Sequence, residues 1–163
     1  MKKFLVFTAA ILTTVGVFAQ GIPTASANII QPLEIVKTAD LAFGNIASGT
    51  SEGTVVIATD GARTSTGGVT LIEAGNVSNA ASFDINGYAD ASFTIEVPAS
   101  IVIETAGGAE QMTVDNFVSS FGADSVLDAN GEATLQVGAT LNVSAQQAAG
   151  LYSGSFDVIV AYN

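Results

Sequence analysis

The chain has 163 residues, with 15 acidic and 4 basic side chains and no cysteine, histidine or tryptophan. Without histidine and cysteine it lacks the side chains of most zinc sites and of Ser-His-Asp and Cys-His nucleophile systems. Its net charge of −11 disfavours nucleic acid and anionic lipid as partners, because their phosphates are neutralised by lysine and arginine. We therefore expect neither an enzyme nor a cofactor.

The chain begins with the pattern of a secretory signal peptide over residues 1–19. Lys2 and Lys3 precede an apolar stretch that ends at Phe18, and cleavage after Ala19 fits the pattern. A competing site, Ala25-Ser26-Ala27, matches the A-x-A rule better but lies further from that stretch. We predict cleavage after Ala19, which removes two lysines and takes the net charge from −11 to −13.

The apolar stretch is shorter than the ~20 residues of a membrane helix, and no second one of that length follows. The sequence therefore predicts a secreted chain, extracellular or at the cell surface, with no membrane span after processing. We divide it into residues 1–19 (signal peptide), 20–31 (N-terminal extension) and 32–163 (one domain). A domain of this size buries enough apolar surface to fold without disulfides.

From residue 29 onward the chain shows short apolar runs separated by Gly, Asn, Asp and Ser, a pattern typical of all-β sandwiches. An extended run over residues 29–35 is interrupted by Pro32, Asp60-Gly61 marks a hairpin, and Gly67-Gly68 predicts a break before Val69. Further strands are predicted around residues 41–46, 54–58, 69–72, 83–86, 93–97, 101–103, 112–114 and 135–143. The expected large core residues are Phe43, Phe83, Phe93, Phe117, Phe121 and Phe156, although an aromatic stripe can also be a ligand platform.

The C-terminal segment carries the strongest pattern. Phe156, Val158, Val160 and Tyr162 alternate with polar or small residues, as in a strand with one buried face. The preceding Gly150-Leu151-Tyr152 has the spacing of the tyrosine corner that opens strand F of an immunoglobulin-like sandwich. Such a sandwich needs a further strand, G, which would come after Asn163. We therefore predict an immunoglobulin-like β-sandwich that lacks its last strand and is completed by a donor strand.

The N-terminal extension is a candidate for that donor. Ala25, Ala27 and Ile29 share one strand face, and the residues between them are polar. Such a strand would pair through its main chain with an open sheet edge and insert alternate side chains into a groove. We predict that Ala25, Ala27 and Ile29 of one subunit meet Phe156, Val158, Val160 and Tyr162 of the next. The alternatives are a disordered tail and a first strand that pairs within its own domain.

One acidic loop has two interpretations. Asp128-Ala129-Asn130-Gly131 resembles a calcium loop, and Asp124 with Asp128 could hold the ion, but the glycine comes too early for an EF-hand. Asn-Gly between strands is a hairpin signal. We expect the turn and no metal site.

Four stretches of the sequence carry a resemblance to known proteins. They are Leu41-x-Phe43-Gly44, Thr64-x-Thr66-Gly67-Gly68-Val69-x-Leu71, Val137-Gly138-Ala139-Thr140-Leu141-x-Val143, and Gln147-x-x-Gly150-x-Tyr152-x-Gly154-x-Phe156-x-Val158. Together they resemble a bacterial secreted family known as a domain of unknown function. The layout is also similar to spore-coat-protein-U-like and chaperone–usher pilus subunits, though the cysteine pair that many of these carry is absent.

The resemblance implies a structural subunit of a surface fibre or pilus, with other copies of itself or related subunits as partners. It also implies a periplasmic chaperone and an outer-membrane usher. The penultimate tyrosine of such subunits is matched by Tyr162 and their upstream glycine by Gly154. A self-contained secreted binding module, for carbohydrate or for calcium-linked attachment, is the alternative function.

We predict that export removes the signal peptide and leaves the extension in place. Mass spectrometry of protein recovered outside the cytoplasm should give a chain that starts at Gln20. A chain that starts at Asn28 would lack Ala25 and Ala27. That result would contradict the donor role of the extension while leaving export intact.

Overall fold

The computed structural model describes residues 20–122 and 125–163, and the signal peptide predicted over residues 1–19 lies outside them. Within the described ranges the fold is all-β and contains no helix, which confirms the predicted fold class. The strands are β1 (Glu34–Ala39), β2 (Asn45–Ile57), β3 (Arg63–Ile72), β4 (Ala81–Asn86), β5 (Ser92–Glu96), β6 (Ser100–Thr105), β7 (Gln111–Ser119), β8 (Ser125–Val126), β9 (Glu132–Val143), β10 (Tyr152–Ser153) and β11 (Ile159–Tyr162).

Antiparallel pairing arranges the strands in two sheets. The larger sheet follows the order β1-β4-β9-β7-β6-β10, and the β2–β3 hairpin joins it through β9. The smaller sheet has the order β11-β5-β8. Strand β9 is central because residues 132–137 pair with β4 and residues 139–143 pair with β2, while β7 covers its other edge.

The apolar core follows from the alternation along the strands. In β9, Leu135, Val137 and Leu141 are buried, whereas Thr134 and Gln136 are exposed. The buried residues form two clusters, one around Val55, Val114 and Leu141 and the other around Ile85, Phe93 and Leu135; Leu41 and Phe117 pack against both. Each fully buried aliphatic side chain stabilises the fold by roughly 1.5–3 kcal/mol.

The phenylalanines predicted for the core pack there. Phe93 is fully buried, and the other five are half-buried against the two clusters. Phe93 meets Phe121 edge-on with ring centroids 5.6 Å apart, and Phe117 lies 5.0 Å from Phe156. Such aromatic pairs add to the stabilisation that burial alone supplies.

Two features differ from the expected strands. The Gly67-Gly68 pair does not break the chain, because β3 continues through it opposite a bulge in β2. There a Cβ on Gly67 or Gly68 would collide with backbone carbonyls of residues 51 and 52, so glycine permits the close approach of the two strands. The run over residues 29–35 becomes a strand only from Glu34 onward, after Pro32.

The C-terminal segment is the third difference. The alternation predicted a strand through Phe156, Val158, Val160 and Tyr162, but the structure has two short strands, β10 and β11, with an irregular stretch over residues 154–158 between them. β10 pairs with β6 in the larger sheet, and β11 pairs with β5 in the smaller one. The irregular stretch crosses from the larger sheet to the smaller one. The segment therefore cannot pair as one continuous strand.

The loop around Asp128 forms the predicted turn, but the strands that flank it, β8 and β9, lie in different sheets and form no hairpin. The Asp128 carboxylate accepts hydrogen bonds from the Glu132 and Asn130 backbone N–H groups, each at 2.8 Å. Gly131 follows with φ +81°. The backbone N–H of Glu132, then that of Asn130, holds the pKa of Asp128 below its usual value of 3.8, because both bonds favour the ionised carboxylate.

A lowered pKa makes this turn sensitive to acid. The ionised Asp128 stabilises the fold above the pKa of the unfolded chain, and that stabilisation is lost as pH falls through the lower pKa of the folded state. We expect Asp128→Asn to lower the melting temperature at neutral pH and to change it much less at about pH 2. Calorimetry across this range tests the prediction, with Asp157→Asn, at an exposed position, as the control. An equal loss at both pH values would contradict it.

Candidate functional site: an open apolar groove

An apolar groove of about 630 Å³ opens between two irregular segments of the domain. One wall is residues 40–46, which follow β1, and the other is residues 150–156, which contain β10. Both walls belong to sheet edges. β1 pairs only with β4, and β10 only with β6, so neither strand has a second partner among the described residues.

The floor of the groove is the inner face of the larger sheet. Ile101 and Ile103 of β6, Met112 and Val114 of β7, and Leu141 of β9 line it. Strand pairing places these side chains side by side, since Ile101 is opposite Val114 and Ile103 opposite Met112. The floor is therefore continuous and apolar, with Met112, Val114 and Leu141 buried and Ile101 and Ile103 half-buried.

Tyr162 does not line the groove but ties the N-terminal extension to the domain. Its hydroxyl donates to the Gln31 carbonyl at 2.9 Å and accepts from the Tyr88 backbone N–H at 2.7 Å. Gly87 lies against this hydroxyl, and a Cβ at that position would collide with it. Leu33 packs beside Tyr162 in the same core cluster. The bond to Gln31 fixes the point at which the N-terminal extension leaves the domain.

Tyr152 holds the wall at residues 150–156. Its hydroxyl donates to the Ala148 carbonyl at 2.8 Å and accepts from Gln147 Nε2 at 3.0 Å. A tyrosine that bonds backbone a few residues upstream is the arrangement expected of a tyrosine corner. The Ser48 hydroxyl donates to the Gln147 carbonyl at 3.0 Å, which ties this wall to β2.

Arg63 holds the opposite wall. Its guanidinium donates to the carbonyls of Phe43 (3.0 Å), Asn45 (3.3 Å) and Ile72 (3.3 Å) and to the Glu73 carboxylate at 2.9 Å. The Arg63 side chain is only 7% exposed, whereas that of Glu73 is 86% exposed. The buried guanidinium therefore donates mainly to backbone carbonyls, and its one carboxylate partner is exposed.

The structure separates the predicted site residues into three groups. Ala25, Ala27 and Ile29 lie in the exposed extension, which forms no strand. Phe156 lines the groove. Val158, Val160 and Tyr162 are half-buried and pack in the second core cluster beside the groove, next to Leu33 and Ile35.

The irregular stretch over residues 154–158 supplies main-chain groups at the groove. It lies between β10 and β11 and belongs to no strand ladder among the described residues. Unpaired N–H and C=O groups at a sheet edge are a template for another strand. The groove therefore offers an apolar floor and a free backbone edge side by side.

Several groove residues were not predicted from the sequence. Nothing in the sequence marked Arg63 as part of a site, because the side chain of a single arginine in a strand usually points into solvent. Phe43 was predicted only as core, although its Leu41-x-Phe43-Gly44 motif lies in the groove wall. The floor residues were predicted to lie in strands, but alternation does not show which strands line a groove.

Membrane-spanning helices and metal-binding clusters are absent from the described part of the chain. No helix there is long and apolar enough to cross a membrane. Residues 20–122 and 125–163 also contain no group of three or more His, Cys, Asp or Glu side chains placed to hold a metal ion. Asp124, half of the calcium pair considered above, lies outside the described residues.

Comparison with known families places the chain. Residues 33–162 match the family described as domain of unknown function DUF4402. The chain belongs to this family. The match begins at Leu33 and so covers the whole sandwich but not the N-terminal extension. No curated protein and no solved structure matches the chain significantly.

We expect Arg63 to be essential for the groove wall and Glu73 to be dispensable. Arg63→Met leaves up to three carbonyls without their donor, and we expect it to lower the free energy of unfolding by about 2–4 kcal/mol. Glu73→Gln removes only an exposed ion-pair partner and should cost less than about 1 kcal/mol. Urea denaturation of both variants tests this, and equal effects would contradict the role of Arg63.

Proposed function

We propose that this DUF4402 protein is a structural subunit of a bacterial surface fibre or pilus-like assembly that polymerises by strand donation. The N-terminal extension of one copy would occupy the apolar groove of the next and pair with its free C-terminal edge. The observation that carries the proposal is the groove itself, in which an apolar floor and an unpaired backbone edge lie together. An extended peptide satisfies both at once.

The extension has the properties required of the donor. Residues 20–32 are exposed, and Ile29 is 95% exposed. Burial of such a large apolar side chain in a groove is favourable, by roughly 1.5–3 kcal/mol for an isoleucine. Ala25, Ala27 and Ile29 would face the groove in an extended strand, while Ser26 and Asn28 would face solvent.

The proposal includes export and partners. The chain would be secreted through its signal peptide and would act outside the cell, with copies of itself or related subunits as its main partners. A periplasmic chaperone would cover the groove before assembly, and an outer-membrane usher would receive the subunit. The proposal assigns no catalytic activity, nucleic acid or membrane span to the mature chain.

A self-contained binding module is the second candidate. The groove volume of about 630 Å³ falls within the ~300–1,000 Å³ range of small-molecule sites, and its floor is apolar. In that case the groove would take an apolar ligand and the extension would be a linker. A chain without residues 20–31 that stays monomeric, melts cooperatively and is stabilised by such a ligand would favour this function.

Introducing a charged side chain into the extension tests strand donation. Ile29→Asp would place a carboxylate in the apolar groove at a cost of several kcal/mol, and we expect it to abolish or strongly shorten the polymers. Asn28→Asp adds the same charge to the neighbouring, solvent-facing position and should leave assembly nearly unchanged. Polymer length is measured by electron microscopy and sedimentation, with the export partners present.

The contrast between the two variants decides the outcome. Polymers of normal length from Ile29→Asp would contradict insertion of this residue. Equal loss in both variants would indicate a general effect of charge on the extension. A wild-type chain that never polymerises with its export partners present would leave the binding module as the better function.

A further inference from the structure

The Tyr162 hydroxyl is a junction between the two ends of the described chain. It donates to the Gln31 carbonyl at 2.9 Å and accepts from the Tyr88 backbone N–H at 2.7 Å, so its proton and a lone pair are both engaged. The ring is half-buried beside Leu33, and a Cβ on Gly87 would collide with the hydroxyl. Packing and hydrogen bonds therefore hold the hydroxyl in one position.

Gln31 is the first residue of the described chain that is tied to the domain. Residues 20–32 are exposed, and the Gln31 carbonyl makes the one hydrogen bond that joins residues 20–33 to another part of the described chain. The next contacts are Leu33, which packs in the second core cluster, and Glu34, where β1 begins. Without the bond to Tyr162, the free part of the extension would therefore run on through Pro32.

The bond bears on the joint between copies in the proposed assembly. There Ile29 lies in the groove of the acceptor, and Gln31 is bonded to the donor domain. Ile30 alone lies between them, with about two soft backbone dihedrals, and two residue steps span at most about 7 Å. Without the bond, Gln31 and Pro32 join the free segment and raise its soft dihedrals to about five, because proline has a fixed φ.

We propose that Tyr162 is a positioning residue on the donor side of the assembly: its hydroxyl anchors the base of the extension and so limits the bending of one copy relative to the next. This inference rests on the proposed function. The sequence predicted that Tyr162 meets the extension of another copy, whereas its hydroxyl bonds to the extension of its own chain. Tyr162 therefore acts on the stiffness of a fibre and not on the lining of the groove, to which it does not belong.

The three tyrosines of the chain provide a matched set of hydroxyl deletions. Tyr162→Phe removes the anchor of the extension, and Tyr152→Phe removes a hydroxyl that holds the groove wall. Tyr88→Phe keeps the backbone N–H that bonds to Tyr162 and alters only a ring that is 47% exposed. A fourth variant, with Gly-Ser inserted between Ile30 and Gln31, lengthens the joint but keeps the anchor.

The anchor is measured first, by NMR in the Ile29→Asp chain, which we expect to stay monomeric. The Gln31 amide should have a backbone order parameter near the rigid value of about 0.85, and adding Tyr162→Phe should lower it below about 0.6. The Tyr88 amide should then exchange with deuterium severalfold faster, because it loses its acceptor. A Gln31 amide that is mobile with Tyr162 intact, or equally ordered without the hydroxyl, would overturn the anchor.

Fibre stiffness is measured next, as the persistence length in electron micrographs of each variant without Ile29→Asp and with the export partners present. We expect it to fall severalfold for Tyr162→Phe and for the spacer variant, and to stay at the wild-type value for Tyr88→Phe and Tyr152→Phe.

Wild-type stiffness in the spacer variant would overturn the inference while strand donation stands, even if Tyr162→Phe does not fold. An equal loss of stiffness in Tyr152→Phe would overturn it as well, because the effect would then belong to any lost hydroxyl. Fibres of normal length from Ile29→Asp, or none from the wild type, would overturn strand donation itself, and the inference with it.

Discussion

The crossing of the C-terminal segment between the two sheets is the constraint on which the rest of the structure depends. β10 must pair with β6 in one sheet and β11 with β5 in the other, so residues 154–158 cannot belong to either ladder. Backbone groups freed in this way need a partner or water. The crossing also keeps the segment apart from β1, which leaves the space between two sheet edges that forms the groove. The groove and the unpaired backbone beside it thus have one common cause.

A groove of this kind persists only if its walls are held from behind. Apolar walls tend to collapse onto each other, since burial of their surface is favourable. Here polar bonds oppose that collapse. Arg63 fixes the carbonyls of Phe43 and Asn45, and the Tyr152 hydroxyl fixes the turn before residues 150–156. The chain has no cysteine. Hydrogen bonds therefore hold the groove walls in place, whereas many small secreted domains use disulfides to fix their loops.

In the proposed assembly, the position of the extension bears on whether copies form an open chain. The Tyr162 hydroxyl ties the base of the extension to the domain beside Gly87, which follows the last residue of β4, whereas Ala81 at the start of β4 lines the groove. A donor and an acceptor at opposite ends of one domain favour a chain of copies over a closed monomer.

Much of this protein was predictable from local patterns. Alternation of apolar residues identified the all-β sandwich, the phenylalanine core and the inward face of the C-terminal segment. Asn130-Gly131 identified its turn, and Gly150-Leu151-Tyr152 identified the tyrosine corner. These signals are readable because each depends on residues close together in the chain, through period-two geometry or through the backbone conformation of a turn.

The groove depended on contacts between distant parts of the chain. That Arg63 is buried, that only the end of the C-terminal alternation forms a strand, and that Ile101 and Ile103 stay half-buried at the groove are consequences of which strands become neighbours. Periodicity places a side chain on one face of a strand but does not state what covers that face. The sequence alone therefore determined the elements and their apolar faces. The edges left unpaired, and the groove between them, arose only when residues more than a hundred positions apart, such as Gln31 and Tyr162, came into contact.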